Sequence, residues 1–138
     1  MKKNIVFGAS GLIGLAFHNL VKKNKNFIFF SKSDNRFQKI NLNSKLKKFP
    51  FDNVNNCYFF ASPRILKKNF DNKSFKNELN WLKKIISKIK INKLIYISSS
   101  SVYYKKNHII GSIKLKCEKY IKKKIFYFLA TRYGDHLI

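Results

Sequence analysis

Gly8-Ala9-Ser10-Gly11-Leu12-Ile13-Gly14 decides how this sequence is read. Ahead of it runs Lys3 to Phe7, whose Ile5-Val6-Phe7 centre suits a buried strand. Behind it, Leu12, Leu15, Ala16, Leu20 and Val21 recur at helical spacing, which predicts a helix ending near Asn24. Glycines alone carry little information, but glycines set between a strand and a helix carry much more. The first permits a tight turn out of the strand. The second lets the backbone approach a pyrophosphate that a side chain would block. The third lets the helix pack close to the sheet. The helix then directs its free N–H groups and positive dipole end at the phosphates. Only 5 of the 138 residues are glycine, so three at this spacing in this place are not read as an incidental turn.

Outward from the loop the same alternation continues. Phe27-Ile28-Phe29-Phe30 predicts a second buried strand, closed by the polar stretch Ser31 to Asn35. Lys39-Ile40-Asn41-Leu42 suits a short third strand, and Val54 to Ala61 a fourth that ends at Ser62-Pro63. Ser74 to Lys90 gives the clearest helix: Phe75, Leu79, Leu82, Ile85, Ile86 and Ile89 form one stripe, with lysines on the other face. Leu94 to Ile97 predicts a fifth strand, followed by Ser98 to Ser101. Ile113 to Lys123 predicts a helix, and Ile125 to Ala130 a sixth strand. Strands that are apolar throughout and alternate with helices imply an α/β fold, with a parallel sheet covered on both faces. There is no internal repeat and no linker, so residues 1–138 are read as one domain.

Composition narrows the class. An apolar fraction of 45% is ordinary for a globular chain and argues against wholesale disorder. Two cysteines, Cys57 and Cys117, lie in no CxxC or Cys/His cluster, so no disulfide scaffold or metal site is expected. They are read as reduced thiols in a cytoplasmic protein. The basic start at Lys2-Lys3 and the apolar run after it imitate a signal peptide. The glycines interrupt that run, and His18-Asn19 follows with no small-residue cleavage site. No run reaches membrane-spanning length.

The charge of +24 needs care. Lys, Ile, Asn and Phe make up 74 of the 138 residues, and all four can be written with A and T alone. Lysines are scattered in pairs, and Arg36, Arg64 and Arg132 are the only arginines. A dedicated nucleic-acid site would concentrate its basic residues and use arginine. The charge is therefore read as compositional, with no specific nucleic-acid partner and only weak, salt-sensitive binding to polyanions.

Taken together the motifs have a family likeness. Gly8 to Gly14, GASGLIG, resembles the short-chain dehydrogenase/reductase superfamily, and most of all its extended branch, the NAD-dependent epimerase/dehydratase family that acts largely on nucleotide sugars. Phe59-Phe60-Ala61-Ser62 is similar to that family's fourth-strand ending. Leu94 to Tyr103, LIYISSSSVY, resembles its "vyiSSssvY" segment, and Gly111 to Glu118, GSIKLKCE, its "YGxSKLxxE" helix. The likeness covers nearly the whole chain. It implies a Rossmann-like doubly wound parallel sheet in the order 3-2-1-4-5-6. It also implies NAD(P) held by Gly8, Ser10, Gly11, Leu12, Ile13, Gly14, Ser31, Lys32, Ala61 and Lys114. The implied activity is redox chemistry (epimerisation, dehydration or reduction) on a nucleotide-linked sugar. Family members often dimerise through helices that would include the Lys114 segment.

The end of the second strand separates the two nicotinamide cofactors. An acidic residue there accepts hydrogen bonds from the NAD ribose, and a basic one accommodates the 2′-phosphate of NADP. The family's acidic position falls near Lys32. Ser31-Lys32-Ser33 offers hydroxyls and an ammonium that suit a phosphate. Arg36 adds a second charge, while Asp34 is the rival contact for NAD. The expected cofactor is NADP or NAD, with NADP preferred.

The resemblance also assigns catalytic positions. Ser99 takes the place of the hydroxyl that polarises substrate, and Lys114 that of the lysine that holds the cofactor ribose. The tyrosine expected four residues before Lys114 is replaced by Ile110, which cannot transfer a proton. Tyr103, Tyr104 and His108 are the alternative sources of the missing group, although none has the four-residue spacing to Lys114. Thr131-Arg132-Tyr133-Gly134 is similar to the start of the family's "RxxxxyG" stretch. The sequence reaches Ile138 without the separate substrate domain of family members. Two expectations therefore stand side by side: an enzyme of this family, and a non-catalytic dinucleotide-binding remnant or partner subunit.

Overall fold

The apolar runs become strands and the striped segments become helices. The computed structural model describes residues 3–62, 72–99 and 109–133. β1 (Asn4–Phe7) leads through α1 (Leu12–Val21) into β2 (Phe27–Ser31), β3 (Gln38–Lys39) and β4 (Asn53–Phe59). α2 (Asn72–Lys88), β5 (Lys90–Ser99), α3 (Ile109–Lys124) and β6 (Tyr127–Tyr133) follow. The six strands form one sheet in the order β3-β2-β1-β4-β5-β6, and every neighbouring pair is parallel. The chain winds outward from β1 in one direction and from β4 in the other. This is the doubly wound Rossmann-like sheet, whose strand order reverses between β1 and β4; in such sheets ligands bind outside the strands' carboxyl ends at the reversal point.

Each face has its own core. Ile5, Phe7, Cys57, Phe59, Leu94 and Tyr96 are fully buried sheet residues, matched by Leu82 and Ile85 of α2 and Cys117 and Ile121 of α3. α1 lies over the opposite face. There Phe17 packs against Phe27, Tyr58 and Phe60, with ring centroids 5.7, 4.6 and 5.5 Å away. Cys57 and Cys117 are both buried and free. Burial pushes both thiols up, Cys117 to about 12 with the Glu78 carboxylate adding to the effect. Among the described residues no helix is long and apolar enough to cross a membrane.

Several boundaries differ from the sequence expectation. The third strand is Gln38–Lys39 rather than Lys39 to Leu42. The side chain of Asn41 turns the chain there by accepting from Asn43 N at 3.0 Å, which frees Ile40 and Leu42 to pack on the core. β5 begins at Lys90, because Lys90 already pairs with Asn53. The sixth strand starts at Tyr127, since Ile125 N bonds back to Ile121 O at 2.8 Å and ends α3. α3 itself starts four residues earlier than its apolar pattern indicated.

Candidate functional site

The glycine loop spans the step from β1 to α1, at the carboxyl edge and over the reversal point. Its three glycines serve different ends. Gly8 has φ +83°, and a Cβ there would lie 2.5 Å from Ala61 N and 2.6 Å from Phe60 C. Gly14 is buried, and its Cβ would collide with the carbonyl oxygen of Gly8 and lie 2.8 Å from Ala9 Cα. Both glycines are thus demanded by the fold. Gly11 is not. Among the described residues a Cβ on Gly11 would meet only Gly8 O, at an ordinary 3.6 Å.

Around Gly11 the loop is held from below and open above. Ala9 N donates to Phe30 O at 3.1 Å, and Ser31 Oγ donates to Ser10 Oγ at 2.9 Å, tying the loop to the end of β2. Ser10, Gly11 and Leu12 are exposed, and Ile13 is half-buried. Gly11 is the N-cap of α1, in extended backbone, and no side chain among the described residues caps the helix. The first turn holds no acidic residue. The N–H groups of Leu12, Ile13 and Gly14 belong to the orphan donors of a helix start, where the positive dipole end favours an anion. Ala61, which crowds Gly8, is half-buried just past the end of β4.

At the end of β2, Ser31 is buried and Lys32 and Ser33 are exposed. Ser31 Oγ accepts from Asp34 N at 3.4 Å. Asp34 does not stand free: Arg36 Nη2 donates to its Oδ2 at 2.6 Å and Arg36 Nε to its Oδ1 at 3.0 Å. Those bonds hold the Asp34 carboxyl down to about 2 and raise the Arg36 guanidinium.

The second half of the site is less open. Lys114, on α3, donates from Nζ to Glu78 Oε1 at 2.7 Å and to Ile97 O at 3.1 Å. It also lies 5.1 Å above the centre of the Tyr96 ring. Glu78 is buried on α2, and its Oε2 accepts from the Tyr96 hydroxyl at 2.9 Å. Burial, together with the Glu78 charge, raises the Tyr96 phenol well above its ordinary value. Sequence reading passed over Glu78, although it precedes Leu82 by four residues and Ile85 by seven and so sits on the buried stripe. Ser98 was passed over too. It is buried, and its hydroxyl has no partner among the described residues. Ser99 ends β5 opposite Tyr133, but its side chain lies outside the described residues. So do the Ile110 side chain and residues Tyr103, Tyr104 and His108.

A depression of about 730 Å³ opens at the opposite edge, beside Lys88, Lys90, Lys124 and Phe126. Lys88 and Lys124 lie in the last turns of α2 and α3, where carbonyl ends attract cations for structural reasons. Among the described residues no three His, Cys, Asp or Glu side chains are grouped to hold a metal ion.

No protein-family model and no curated protein matches the sequence. Solved structures match the fold. UDP-N-acetylglucosamine 4-epimerase from Bacillus cereus superposes with a TM-score of 0.66 at 18% identity, over 96% of this chain and 60% of its own. UDP-glucuronic acid 4-epimerase from Bacillus cereus, in complex with NAD, gives 0.56 at 22% identity, over 96% and 55%. Human epimerase family protein SDR39U1, with NADPH, gives 0.58 at 16% identity, over 85% and 48%. At these identities the likeness is one of fold. The chain spans 60% or less of the length of each of these three proteins.

Proposed function

We propose that this chain binds a nicotinamide dinucleotide across the carboxyl edge of its sheet, with the pyrophosphate over Gly11. The observation that carries the reading is the contrast among the glycines. Gly8 and Gly14 have packing reasons to be glycine, and among the described residues Gly11 has none. A phosphate approaching the uncapped start of α1 supplies the missing reason. Ser10, Leu12 and Ile13 would present backbone N–H groups beside it, and Ala61 would line the adenosine side next to Gly8. Ser31 and Lys32 would face the adenosine ribose. Arg36 already neutralises Asp34, which weakens Asp34 as a ribose acceptor and favours NADP over NAD.

The fold shared with UDP-sugar epimerases supports redox chemistry on a nucleotide-linked sugar as the activity of this family of folds. When bound, the nicotinamide would supply a reversible two-electron exchange. Lys114 would hold its ribose, and Ser99 would orient the sugar. A second reading is favoured by one residue. Ile110 stands where the resemblance places the proton-transferring tyrosine, and on that reading the chain binds the dinucleotide without turning over a sugar. Equilibrium binding of NADPH to the wild type and to Gly11→Asp tests the site. The variant is expected to keep the fold and lose the ligand; retained affinity would sink the assignment.

A further inference from the structure

We infer that Glu78 is a positioning residue for Lys114, fixing its ammonium where the nicotinamide-side ribose would arrive; this rests on the dinucleotide reading above. Three elements converge on the Glu78 carboxylate. It comes from α2, Tyr96 reaches it from β5, and Lys114 and Cys117 reach it from α3. Glu78 is 2% exposed. Lys114 Nζ lies 2.7 Å from Oε1, and the Tyr96 hydroxyl lies 2.9 Å from Oε2, so both oxygens are engaged. The Cys117 thiol lies 3.9 Å from Oε2. A carboxylate gripped on both oxygens by charged and neutral donors has one orientation.

Lysine has the opposite character. Its four-carbon stem is flexible and its strongly hydrated ammonium seeks water. Glu78 removes that freedom. It holds Nζ beside the carbonyl of Ile97, two residues before the end of β5. That is the sheet edge which carries the glycine loop. An ammonium has three N–H donors. Among the described residues two are used, by Glu78 and Ile97, which leaves one for a ligand hydroxyl. The Lys114 side chain keeps 15% of its surface exposed, enough for that one contact. Next to Ile97, the buried Ser98 hydroxyl without a described partner marks the same strand end as a place with unmet polar capacity.

The test compares two probes on the full chain: NADPH, and ADP, which lacks the nicotinamide half. In Glu78→Gln the NADPH Kd is expected to rise about tenfold, or about 1.4 kcal/mol, while ADP binding moves by less than about twofold. Glu78→Asp, which keeps the charge, should recover part of the loss. Tyr96→Phe removes one bond to Oε2 and keeps the charge, so it should weaken NADPH less, again sparing ADP. Should Glu78→Gln fail to fold by circular dichroism, the other two variants carry the comparison. Equal losses for NADPH and ADP would mean that the carboxylate supports only the fold, and unchanged NADPH binding would mean that it does not place Lys114. Either overturns the inference. A wild type that binds neither probe would overturn the dinucleotide reading itself.

Discussion

Replacing each loop glycine by alanine separates packing from ligand approach. At Gly14 the new Cβ would overlap the Gly8 carbonyl oxygen and crowd Ala9 Cα at 2.8 Å. Every atom it meets is backbone, so nothing yields cheaply. Overpacking of this kind costs about 3 kcal/mol, offset by about 1 kcal/mol of helix propensity gained over glycine. The net loss is about 2 kcal/mol. At Gly8 a φ of +83° adds conformational strain to contacts of 2.5 and 2.6 Å, for about 2–5 kcal/mol in total. At Gly11 the sole contact among the described residues is 3.6 Å. There the weaker N-cap costs about 0.5–1 kcal/mol, and the stiffer unfolded chain returns a similar amount. Urea denaturation should therefore lower the midpoint of Gly14→Ala and Gly8→Ala by about 1 M or more, and leave Gly11→Ala within experimental error. NADPH affinity should show a different order, with Gly11→Ala losing about tenfold or more despite its intact fold. Equal destabilisation by Gly11→Ala and Gly14→Ala would refute the reasoning about space. A stable Gly11→Ala with unchanged affinity would refute the reasoning about phosphate.

Other variants and conditions probe the rest of the molecule. Lys114→Met leaves Glu78 buried without its counter-ion and should cost about 3–5 kcal/mol in urea unfolding, with the double variant Lys114→Met/Glu78→Gln recovering part of it. Cys117 has its thiol raised from 9.0 to about 12, so the folded state binds more protons than the unfolded state between those values. Its contribution to stability is complete below pH 9 and is lost as pH rises through about 12; thermal melts across alkaline pH and iodoacetamide labelling at pH 8 check this, and the native thiols should stay unreacted. Asp34, held at about 2 instead of 3.8, contributes above pH 4 and fades as pH falls toward 2, which a carboxyl NMR titration would follow. Asp34→Asn frees Arg36 and should improve NADPH binding severalfold relative to NADH.

The parallel sheet was legible because its strands are apolar from end to end, and the glycine loop because glycine is scarce in this chain. Strand order and the crossing at β1 and β4 came with the family resemblance. Periodicity alone carries no order. Edges were less legible. Gln38–Lys39 forms the third strand because one neighbour, β2, offers it hydrogen bonds, while Ile40 and Leu42 are drawn to the core instead. That choice depends on tertiary packing and leaves no local trace. Glu78 was legible in principle, being one of six acidic residues and lying on the stripe of Leu82, Ile85 and Ile89. A lone acid on a buried stripe calls for a buried cation. The partner, Lys114, lies 36 residues away and among 27 lysines, so nothing local distinguished it. The Asp34–Arg36 pair is only two residues apart, yet either residue alone argued for a different cofactor.

Dinucleotide binding at the glycine loop is measured by calorimetric titration of the purified chain with NADPH and NADH in moderate salt, repeated on Gly11→Asp. Saturable micromolar binding to the wild type, tighter for NADPH, is expected, and none to the folded variant. Absence of heat with either dinucleotide, or equal binding by Gly11→Asp, would contradict binding at that loop.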